Sequence, residues 1–549
     1  MAHSTVYVNI RNYVKTLDWK LLLFLLLFLN VKLVVKALAL VIIYFLRPNF
    51  KFGFQLKNSR LPLFYFAVMG IAIFNWLISG AILNVNYSLV MVTGIAFWLA
   101  CIFAIHQVKL AVEINDPINL HRTLLVFFIV NAFVSYAVYA GIVWETGAIN
   151  PFRYQGNFQK YFMGTGDYIK GISFDTSTTN AVINAFGVLY FLNCKHVLLT
   201  MLCMFTMLLA ASNVTNLLLA CIFVGIFIFA STKNQKSTIV ICLVLGVIFM
   251  VKISPQNNRY IEEAYNKIFK NAPNSSTAMP ISSTTGLVHI LSPAEQKEKI
   301  ARDYIDSMDK QAMLQSKPVA ALKSKVDTIL LQKVKISIPA PNIHSDSFQY
   351  RNDTTVLQKK LISFTATQPV VLPLANQLQP PSKLPGKVLS LQQAMRFFQQ
   401  RPQKIITGTG IGNFSSKLAF RATAMKIAGG YPVAFAYMNP AFESNHFDLY
   451  LSYFTRQDKL HSLINSPNSG YDQLLSEYGL AGLFAFLFFY IGYFTKHLRL
   501  LSYGIPILVF IGGILFVEYW FEQLSIIILF EFMLLLNIKE GGRIASQSS

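Results

Sequence analysis

The sequence predicts an all-α integral membrane protein with about twelve transmembrane helices and a large, mainly helical extracytoplasmic loop before the last three. Three observations support this fold class. Hydrophobic residues make up 54% of the 549 residues and charged residues only 13%, whereas soluble domains carry roughly 25% charged residues. Apolar runs long enough to span a bilayer recur along the chain. Basic residues concentrate in the polar connections between these runs, which is typical of cytoplasmic loops.

The charge and cysteine content exclude or weaken several functional classes. The formal net charge of +22 can indicate a nucleic-acid partner. Here the basic residues lie in short loops and in one long polar loop, which indicates a solvated or membrane-facing surface instead. The five cysteines lie in or beside apolar segments, without the spacing of a zinc site or a disulfide framework. No cleavage site follows the first apolar run, so we expect that run to be retained.

The first apolar run, residues 20–46, is compatible with one long helix or with a hairpin of two short helices. Basic residues flank both of its ends, and the positive-inside rule then places both flanks in the cytoplasm, which favours the hairpin. Both termini are cytoplasmic in this arrangement. The later candidate spans begin and end at about 61–83, 88–108, 123–144, 179–193, 196–212, 215–231, 237–253, 479–495, 501–519 and 523–538.

This topology divides the chain into four parts. Residues 1–253 contain the first nine helices and an outer loop at 146–178. Residues 254–386 form an extracytoplasmic insert with a proline-rich linker. Residues 387–478 regain an amphipathic helical pattern, in which Leu391, Met395 and Phe398 are expected to form the apolar stripe. Residues 479–549 contain the last three helices and a cytoplasmic tail.

The stretch "ITGTGIGNFSSKLAF", residues 406–420, is the first candidate functional stretch. Its three glycines, Gly408, Gly410 and Gly412, with Asn413 after them, can offer backbone N–H groups to a phosphate. The stretch matches neither a Walker A motif nor a dinucleotide-binding fingerprint. Taken alone, the stretch favours a plain glycine turn.

The stretch "NSPNSGYDQLLSEYGLAGLFAF", residues 465–486, is the second. Ser469 and Asp472 have the spacing of a capping box, and Gln473 and Glu477 lie one turn apart on the helix that follows. A capped helix entering the bilayer explains this pattern without any chemistry.

Cations and histidines in the outer region add candidates for binding and proton transfer. A pyrophosphate is bound well by arginine through two parallel hydrogen bonds and by lysine as a point charge. The candidate cations are Arg153, Lys170, Lys387, Arg396, Arg401 and Arg421. His446 or His461 could take a proton from a hydroxyl near neutral pH. Solvated cations and structural histidines are the alternative for each of them.

The two stretches, with the helix "VLSLQQAMRFFQQ" before them, resemble the C-terminal region of the bacterial O-antigen ligase and O-antigen polymerase family. Members of that family have a Gly-x-Gly-x-Gly-Asn-Phe turn after a basic residue and an amphipathic helix. A Tyr-containing helix with Glu-x-Gly then precedes a transmembrane helix. The residue-level similarity covers about 386–487, and the insert at 255–385 matches nothing.

The resemblance implies a metal-independent glycosyltransferase with a membrane-embedded C-type fold and no cofactor, in the bacterial inner membrane with its large loop periplasmic. The donor would be a glycan on undecaprenyl pyrophosphate, and the acceptor a hydroxyl of lipid A–core, another glycan or a protein. A lipid bilayer surrounds such an enzyme, and no nucleic acid is expected. The implied pyrophosphate-binding residues are Lys170, Lys387, Arg396 and Arg421. The implied catalytic residues are His461, Asn468 and Glu477, and the positioning residues are Gly408, Gly410, Gly412, Asn413, Ser469 and Tyr471.

One departure from the family concerns the base. The family often has His-Asn nine residues before the glutamate, where this chain has Asn468-Ser469, and asparagine cannot act as a base. His461, seven residues upstream, is one expected substitute, and the alternative is that Asn468 only positions the acceptor. Ligase and polymerase remain equally open.

A transporter or flippase, or an inactive envelope scaffold, is the alternative function. A transporter would have paired charges or broken helices in the membrane core. The sequence offers few such charges, namely Lys32, Lys36, Glu518 and Glu531.

Overall fold

The computed structural model describes residues 16–55, 58–147, 149–150, 152, 169–254, 386–423, 430–447, 449–450 and 466–548. Within these ranges the chain is helical and contains no β-strand. Residues 255–385 of the predicted insert, most of the predicted outer loop at 146–178, and His461 lie outside the described residues.

The first half of the described chain consists of apolar helices in close succession. They are α1 (Trp19–Phe28), α2 (Leu33–Leu46), α3 (Phe64–Ile78), α4 (Val85–Ile114), α5 (Pro117–Thr146), α6 (Ser177–Asn193), α7 (Val197–Leu209), α8 (Asn213–Phe229) and α9 (Lys233–Ile248). A π-helical turn, Phe249–Ile253, extends α9.

The second half combines polar and apolar helices. They are α10 (Gly386–Gln400), α11 (Lys417–Ala422), α12 (Pro440–Asn445), α13 (Gly470–Ala485), α14 (Gly504–Ile514), α15 (Trp520–Gln523) and α16 (Ser525–Ser548). A π-helical segment, Phe486–Ile491, and a last α-helical turn, Gly492–Thr495, continue α13. We use the name interhelical segment for residues 386–469, of which 386–423, 430–447, 449–450 and 466–469 are described.

Four helices are long and apolar enough to cross a membrane, judged by length and composition over the described residues: Val85–Ile114, Pro117–Glu145, Lys233–Ile253 and Gly470–Thr495. Six shorter apolar helices of 10–17 residues accompany them. A helix rises about 1.5 Å per residue and the bilayer core is about 30 Å thick, so ten to seventeen residues do not cover it alone. The residues that the structure describes are therefore all-helical and compatible with a membrane, and the twelve-span layout stays a prediction.

Residues 20–46 contain two helices, α1 and α2, which pack against each other. The buried Lys36 on α2 donates from Nζ to the carbonyl oxygen of Phe28 at 2.8 Å and to Ser525 Oγ at 3.0 Å. Ser525 Oγ in turn donates to the carbonyl oxygen of Leu29 at 3.0 Å. These bonds satisfy carbonyl groups at the end of α1 and tie the helix pair to the start of α16.

Helix α16 forms the centre of the apolar core. Its residues 525–537 are all buried, as expected for a helix that is apolar on every side and surrounded by other helices. Phe530 of α16 packs against the rings of Phe186, Tyr490 and Phe494. Elsewhere in the core, Trp98 Nε1 donates to the hydroxyl of Tyr478 at 2.9 Å. Buried indole and phenol groups need such partners, and this bond fixes α13 against α4.

The apolar stripe predicted on α10 is correct for Phe398, which is buried, and wrong for the other two residues. Leu391 and Met395 are 42% and 50% exposed. Besides Phe398, the buried face contains Leu389 and Phe397, and the two phenylalanines pack in one cluster with Phe414, Ala441 and Leu475. The helix turns this other face inwards because its apolar partners lie in the glycine-rich stretch and on α13.

Helix α13 is interrupted at Gly479, whose φ of 68° and ψ of −165° are not helical. The N–H groups of Leu480 and Ala481 donate to the carbonyl oxygens of Ile405 and Ile406 at 2.8 and 3.0 Å. A Cβ at position 479 would lie 2.4 Å from the Ile406 oxygen. Glycine is required here both for its positive φ and for this close approach of two backbones.

Candidate functional site

The carboxylate of Glu477 accepts three backbone hydrogen bonds from the glycine-rich turn. Gly412 N donates to Oε2 at 2.8 Å, and Phe414 N and Ser416 N donate to Oε1 at 3.1 and 3.0 Å. The side chain is fully buried. Successive N–H groups that converge on one anion form a nest, and here the anion is a side chain of the protein itself.

The rest of the turn is held by backbone bonds to α13. Thr409 N and Gly410 N donate to the carbonyl oxygens of Ser476 and Glu477, both at 2.9 Å. Positive φ angles at Gly408, Gly410 and Gly412 shape the turn. Because Glu477 occupies the converging N–H groups, they are not available to a phosphate, and the contacts assign Glu477 a structural role.

Most of the predicted positioning residues hold neighbouring elements together. Asn413 Nδ2 donates to the carbonyl oxygen of Thr409 at 2.9 Å, which closes the turn. Ser469 is the N-cap of α13 and accepts a long bond, 3.5 Å, from Asp472 N. The Tyr471 hydroxyl donates to the carbonyl oxygen of Gly512 at 2.7 Å and so joins α13 to α14.

Lys387 binds protein acceptors. Its Nζ donates to the carbonyl oxygens of Asn468 and Val517, the latter at 2.9 Å, and to Ser466 Oγ at 3.3 Å. Burial lowers the pKa of Lys387 to about 8, although nearby carboxylates oppose the shift. The lysine fastens the start of α10 to the turn before α13 and to the connection between α14 and α15.

A second buried network joins Ser390, His446 and Asp472. The Ser390 hydroxyl donates to the Asp472 carboxylate and lies 2.9 Å from His446 Nε2, which is 3.2 Å from Asp472 Oδ2. Ser390 and His446 are fully enclosed and Asp472 is 3% exposed. A hydrolase uses the same residue types, but a nucleophile must be accessible, so this network serves to join α10, α12 and α13.

Asn468 positions a carboxylate. Its Nδ2 lies 3.2 and 3.0 Å from the two carboxylate oxygens of Glu518, and both side chains are buried. Asn468 is therefore a hydrogen-bond donor in this structure, which agrees with its inability to act as a base.

The two cations of α11 interact electrostatically with three carboxylates, one before α6 and two at α15. We name Asp175, Lys417, Arg421, Glu518 and Glu522 the charge cluster. Lys417 and Arg421 lie one turn apart on α11, so they share a face. Asp175 precedes α6, and Glu518 and Glu522 lie just before and within α15.

Burial and neighbouring charges shift the pKa values of Lys417 and Glu522 in the cluster. Burial lowers the pKa of Lys417, and the Arg421 charge lowers it further. The carboxylates of Glu518, Asp175 and Glu522 act in the opposite direction. Burial raises the pKa of Glu522 to about 8, and the charge of Glu477 adds to the rise. The cluster therefore contains a carboxyl group that titrates near physiological pH.

Several buried polar atoms on α11, α13 and α15 have no hydrogen-bond partner within the described part of the chain. They are Arg421 Nε, Gln473 Oε1, and both amide atoms of Gln523. Buried polar atoms are normally paired, and an unpaired donor on a cation indicates a place for water or a polar ligand. Arg421 and Gln523 lie on elements that supply the charge cluster, and Gln473 donates from Nε2 to Glu522 of the cluster.

The other predicted cations are placed differently. Lys170 is half-buried in a loop held by two asparagines: Asn180 Nδ2 donates to the carbonyl oxygen of Ile169 at 3.0 Å, and Ile172 N donates to Asn131 Oδ1 at 2.9 Å. This loop leads directly to Asp175 of the charge cluster. Arg396 is half-buried on α10.

No family model, no curated protein and no solved structure matches the chain. The described residues contain no group of three or more histidine, cysteine or acidic side chains arranged to hold a metal ion. Sequence reasoning missed Lys417, Ser390 and Glu522 as site residues. For Lys417 a signal existed, since it stands four residues before Arg421 on a helix.

Proposed function

We propose that the chain transfers a glycan from undecaprenyl pyrophosphate to an acceptor hydroxyl, as an enzyme of the bacterial inner membrane. The observation that carries this proposal is the pair of cations Lys417 and Arg421, one turn apart on α11, with a buried guanidinium Nε that lacks a partner within the described part of the chain. A lipid-linked pyrophosphate presents its anionic headgroup where apolar helices meet a polar segment. The resemblance described above leads to the same substrate class.

The leaving group explains why two cations are needed. When the bond between the anomeric carbon and the phosphate oxygen breaks, negative charge develops on a pyrophosphate that is already anionic. Such a group needs charge neutralisation more than protonation. Arg421 supplies bidentate donors and Lys417 a point charge. In this proposal these two residues replace Lys387, whose ammonium already binds carbonyl groups.

The proposal keeps the predicted topology of about twelve spans, with cytoplasmic termini and a periplasmic interhelical segment. The charge cluster would then lie at the periplasmic face, where lipid-linked glycans are assembled. Labelling of single added cysteines by a membrane-impermeant maleimide tests this topology. A cysteine in place of Ser502, between α13 and α14, should be protected in intact cells, and one in place of Asn439 should be labelled.

A transporter is the second candidate, and one observation favours it. The interruption of α13 at Gly479 is the kind of broken helix on which transporters build substrate sites. Here, however, the N–H groups freed by the interruption bind Ile405 and Ile406. Lys36 and Glu531, both buried, contact neutral partners, Ser525 and Tyr65.

The deciding experiment is a gel of surface polysaccharide and lipid-linked glycan from a strain that lacks the gene. A lost long-chain ladder, with single repeats still transferred, supports a polymerase. Long chains left on undecaprenyl pyrophosphate support a ligase. An unchanged profile in a strain without a redundant gene would contradict the proposal and support the scaffold or transporter reading.

Binding to the purified full chain in nanodiscs tests the site itself, with undecaprenyl pyrophosphate as the probe. Losing one charge-assisted contact costs about 1.5–3 kcal/mol, so Arg421→Ala and Lys417→Ala should each weaken binding about ten- to hundredfold. Arg401→Ala is the matched control, because Arg401 is exposed and stacks on Phe397. Equal affinity for all four proteins would remove the cation pair from the site.

A further inference from the structure

The carboxylates in and around the charge cluster differ in the hydrogen bonds that they already accept and in their exposure to solvent. Glu477 accepts three backbone N–H groups, and Glu518 accepts the Asn468 amide on both oxygens. Asp472 is engaged by Ser390 and His446. All three are buried. A group that takes a proton from a bound substrate must be within reach of it, so these three are excluded.

Asp175 is excluded for the same reason. Its Oδ2 accepts from Thr179 Oγ1 at 3.1 Å, and only 3% of the residue is exposed. His446 is enclosed in the network with Ser390 and Asp472.

Glu522 differs from these groups in accessibility. It is half-buried, and Gln473 Nε2 donates to its Oε1 at 2.8 Å. The backbone N–H of Leu418, at the start of α11, also donates to the carboxylate. The two bonds fix the carboxylate beside the helix that carries Lys417 and Arg421.

From this placement we infer that Glu522 is the proton acceptor for the hydroxyl of the incoming acceptor. The inference rests on the proposed function. The acceptor oxygen forms a bond to the anomeric carbon while the carbon–oxygen bond to the pyrophosphate breaks. The electron pair of that bond leaves with the pyrophosphate, which Lys417 and Arg421 neutralise. The hydroxyl proton passes to the Glu522 carboxylate and afterwards to water, so the step needs no further reactant.

The surroundings of Glu522 suit this role. Lys417 and Arg421 lower its pKa, and burial and Glu477 raise it, with a result of about 8. The tyrosines that interact with its charge are the half-buried Tyr431 and the buried Tyr450, Tyr478 and Tyr519. A base is most effective when its pKa lies near the working pH, because it is then both available and strong enough.

The test compares wild type, Glu522→Gln and Glu522→Asp as full chains in nanodiscs, with lipid-linked glycan extracted from the source strain. Glycan transfer is followed as release of undecaprenyl pyrophosphate between about pH 6 and about pH 9. The wild-type rate should rise with pH towards about 8, because the carboxylate must be ionised. Glu522→Gln should be slower by about 10²–10⁴-fold and lose this rise.

Glu522→Asp should retain part of the rate with a displaced pH profile, which a purely structural role would not produce. Glu443→Gln, on α12, is the matched control and should behave like wild type. Glu522→Gln should still bind undecaprenyl pyrophosphate, which shows that the variant is folded. If it does not fold, an unchanged pH profile of Glu522→Asp would overturn the inference.

The two proposals fail in different ways. A Glu522→Gln chain with the wild-type rate and pH profile overturns the role of Glu522 and leaves glycan transfer intact. A wild-type chain that neither binds undecaprenyl pyrophosphate nor releases it from the glycan overturns both.

Discussion

The carboxylate of Glu477 lies 2.8 Å from the backbone N–H of Gly412, a residue 65 positions earlier in the chain. Both partners are buried, and two further N–H groups bind the same carboxylate. The glycine-rich turn has the sequence pattern of a phosphate site. Because its N–H groups bind Glu477, it instead connects the interhelical segment to α13. The charge cluster is positioned by that connection, because α11 begins at the end of the turn.

Glu477→Gln should lower stability by at least about 2 kcal/mol, because an amide replaces a charged acceptor and turns a donor towards the N–H groups. The melting temperature of the detergent-solubilised chain and proteolysis within residues 406–420 measure the effect. Glu443→Gln, in the same segment, should leave both unchanged. A stable Glu477→Gln chain that has lost only glycan transfer would instead support the catalytic role implied by the family resemblance.

Gly479→Ala should prevent correct assembly. A side chain at positive φ costs about 1–2 kcal/mol, and its Cβ would clash with the Ile406 oxygen 2.4 Å away. The yield of monodisperse protein after membrane extraction measures assembly. Gly225→Ala is the control, since a Cβ there meets nothing within 4 Å. Equal yields for the two variants would mean that the interruption of α13 is not required.

Lys387 should make stability depend on pH. Its pKa is about 8 in the folded protein and 10.5 when unfolded, so the folded state binds fewer protons between these values. The free energy of unfolding should therefore rise from about pH 8 to about pH 10, by on the order of 1–2 kcal/mol given the partial exposure of the residue. Below pH 8 the cost of burying the charge is fully present.

Thermal unfolding of Lys387→Met over the same pH range checks this prediction. In this variant the free energy of unfolding should no longer rise with pH. Lys496→Met, at an exposed position, should keep the wild-type rise. A rise of the same size in Lys387→Met would assign the pH dependence to another group.

Ser390→Ala should destabilise the chain by about 1–2 kcal/mol without abolishing glycan transfer, because Ser390 joins His446 and Asp472 in a closed network. A fluorophosphonate probe should leave the folded wild-type chain unlabelled. Labelling that disappears in Ser390→Ala would show that the serine is accessible and would contradict its structural role.

The fold was predictable from the sequence to the extent that it depends on hydropathy. The apolar runs predicted a helical membrane protein, since twenty apolar residues have few other stable environments. The buried face of α10 was not predictable in the same way. Its apolar residues form overlapping stripes, and contacts with Phe414 and Leu475 decide which of them is buried.

The candidate site was predictable only in part. Arg421 and the glycine turn have local sequence signals, and both belong to the region that the structure assembles. The bonds from Lys387 to Val517 and from Gln473 to Glu522 join residues that are distant in sequence. No local pattern encodes such bonds, because they depend on how α10, α13 and α15 pack together.

The interruption at Gly479 also links this fold to the order in which the chain is made. The span that begins at Leu480 receives its first backbone partners from Ile405 and Ile406, which leave the ribosome earlier. If the interhelical segment crosses the membrane as proposed, its export must be complete before the helix that begins at Leu480 can reach its final position in the membrane. Translocation of the interhelical segment thereby becomes a precondition for inserting the helix that follows Gly479. Delayed export would leave the first N–H groups of that helix without hydrogen-bond acceptors in the membrane.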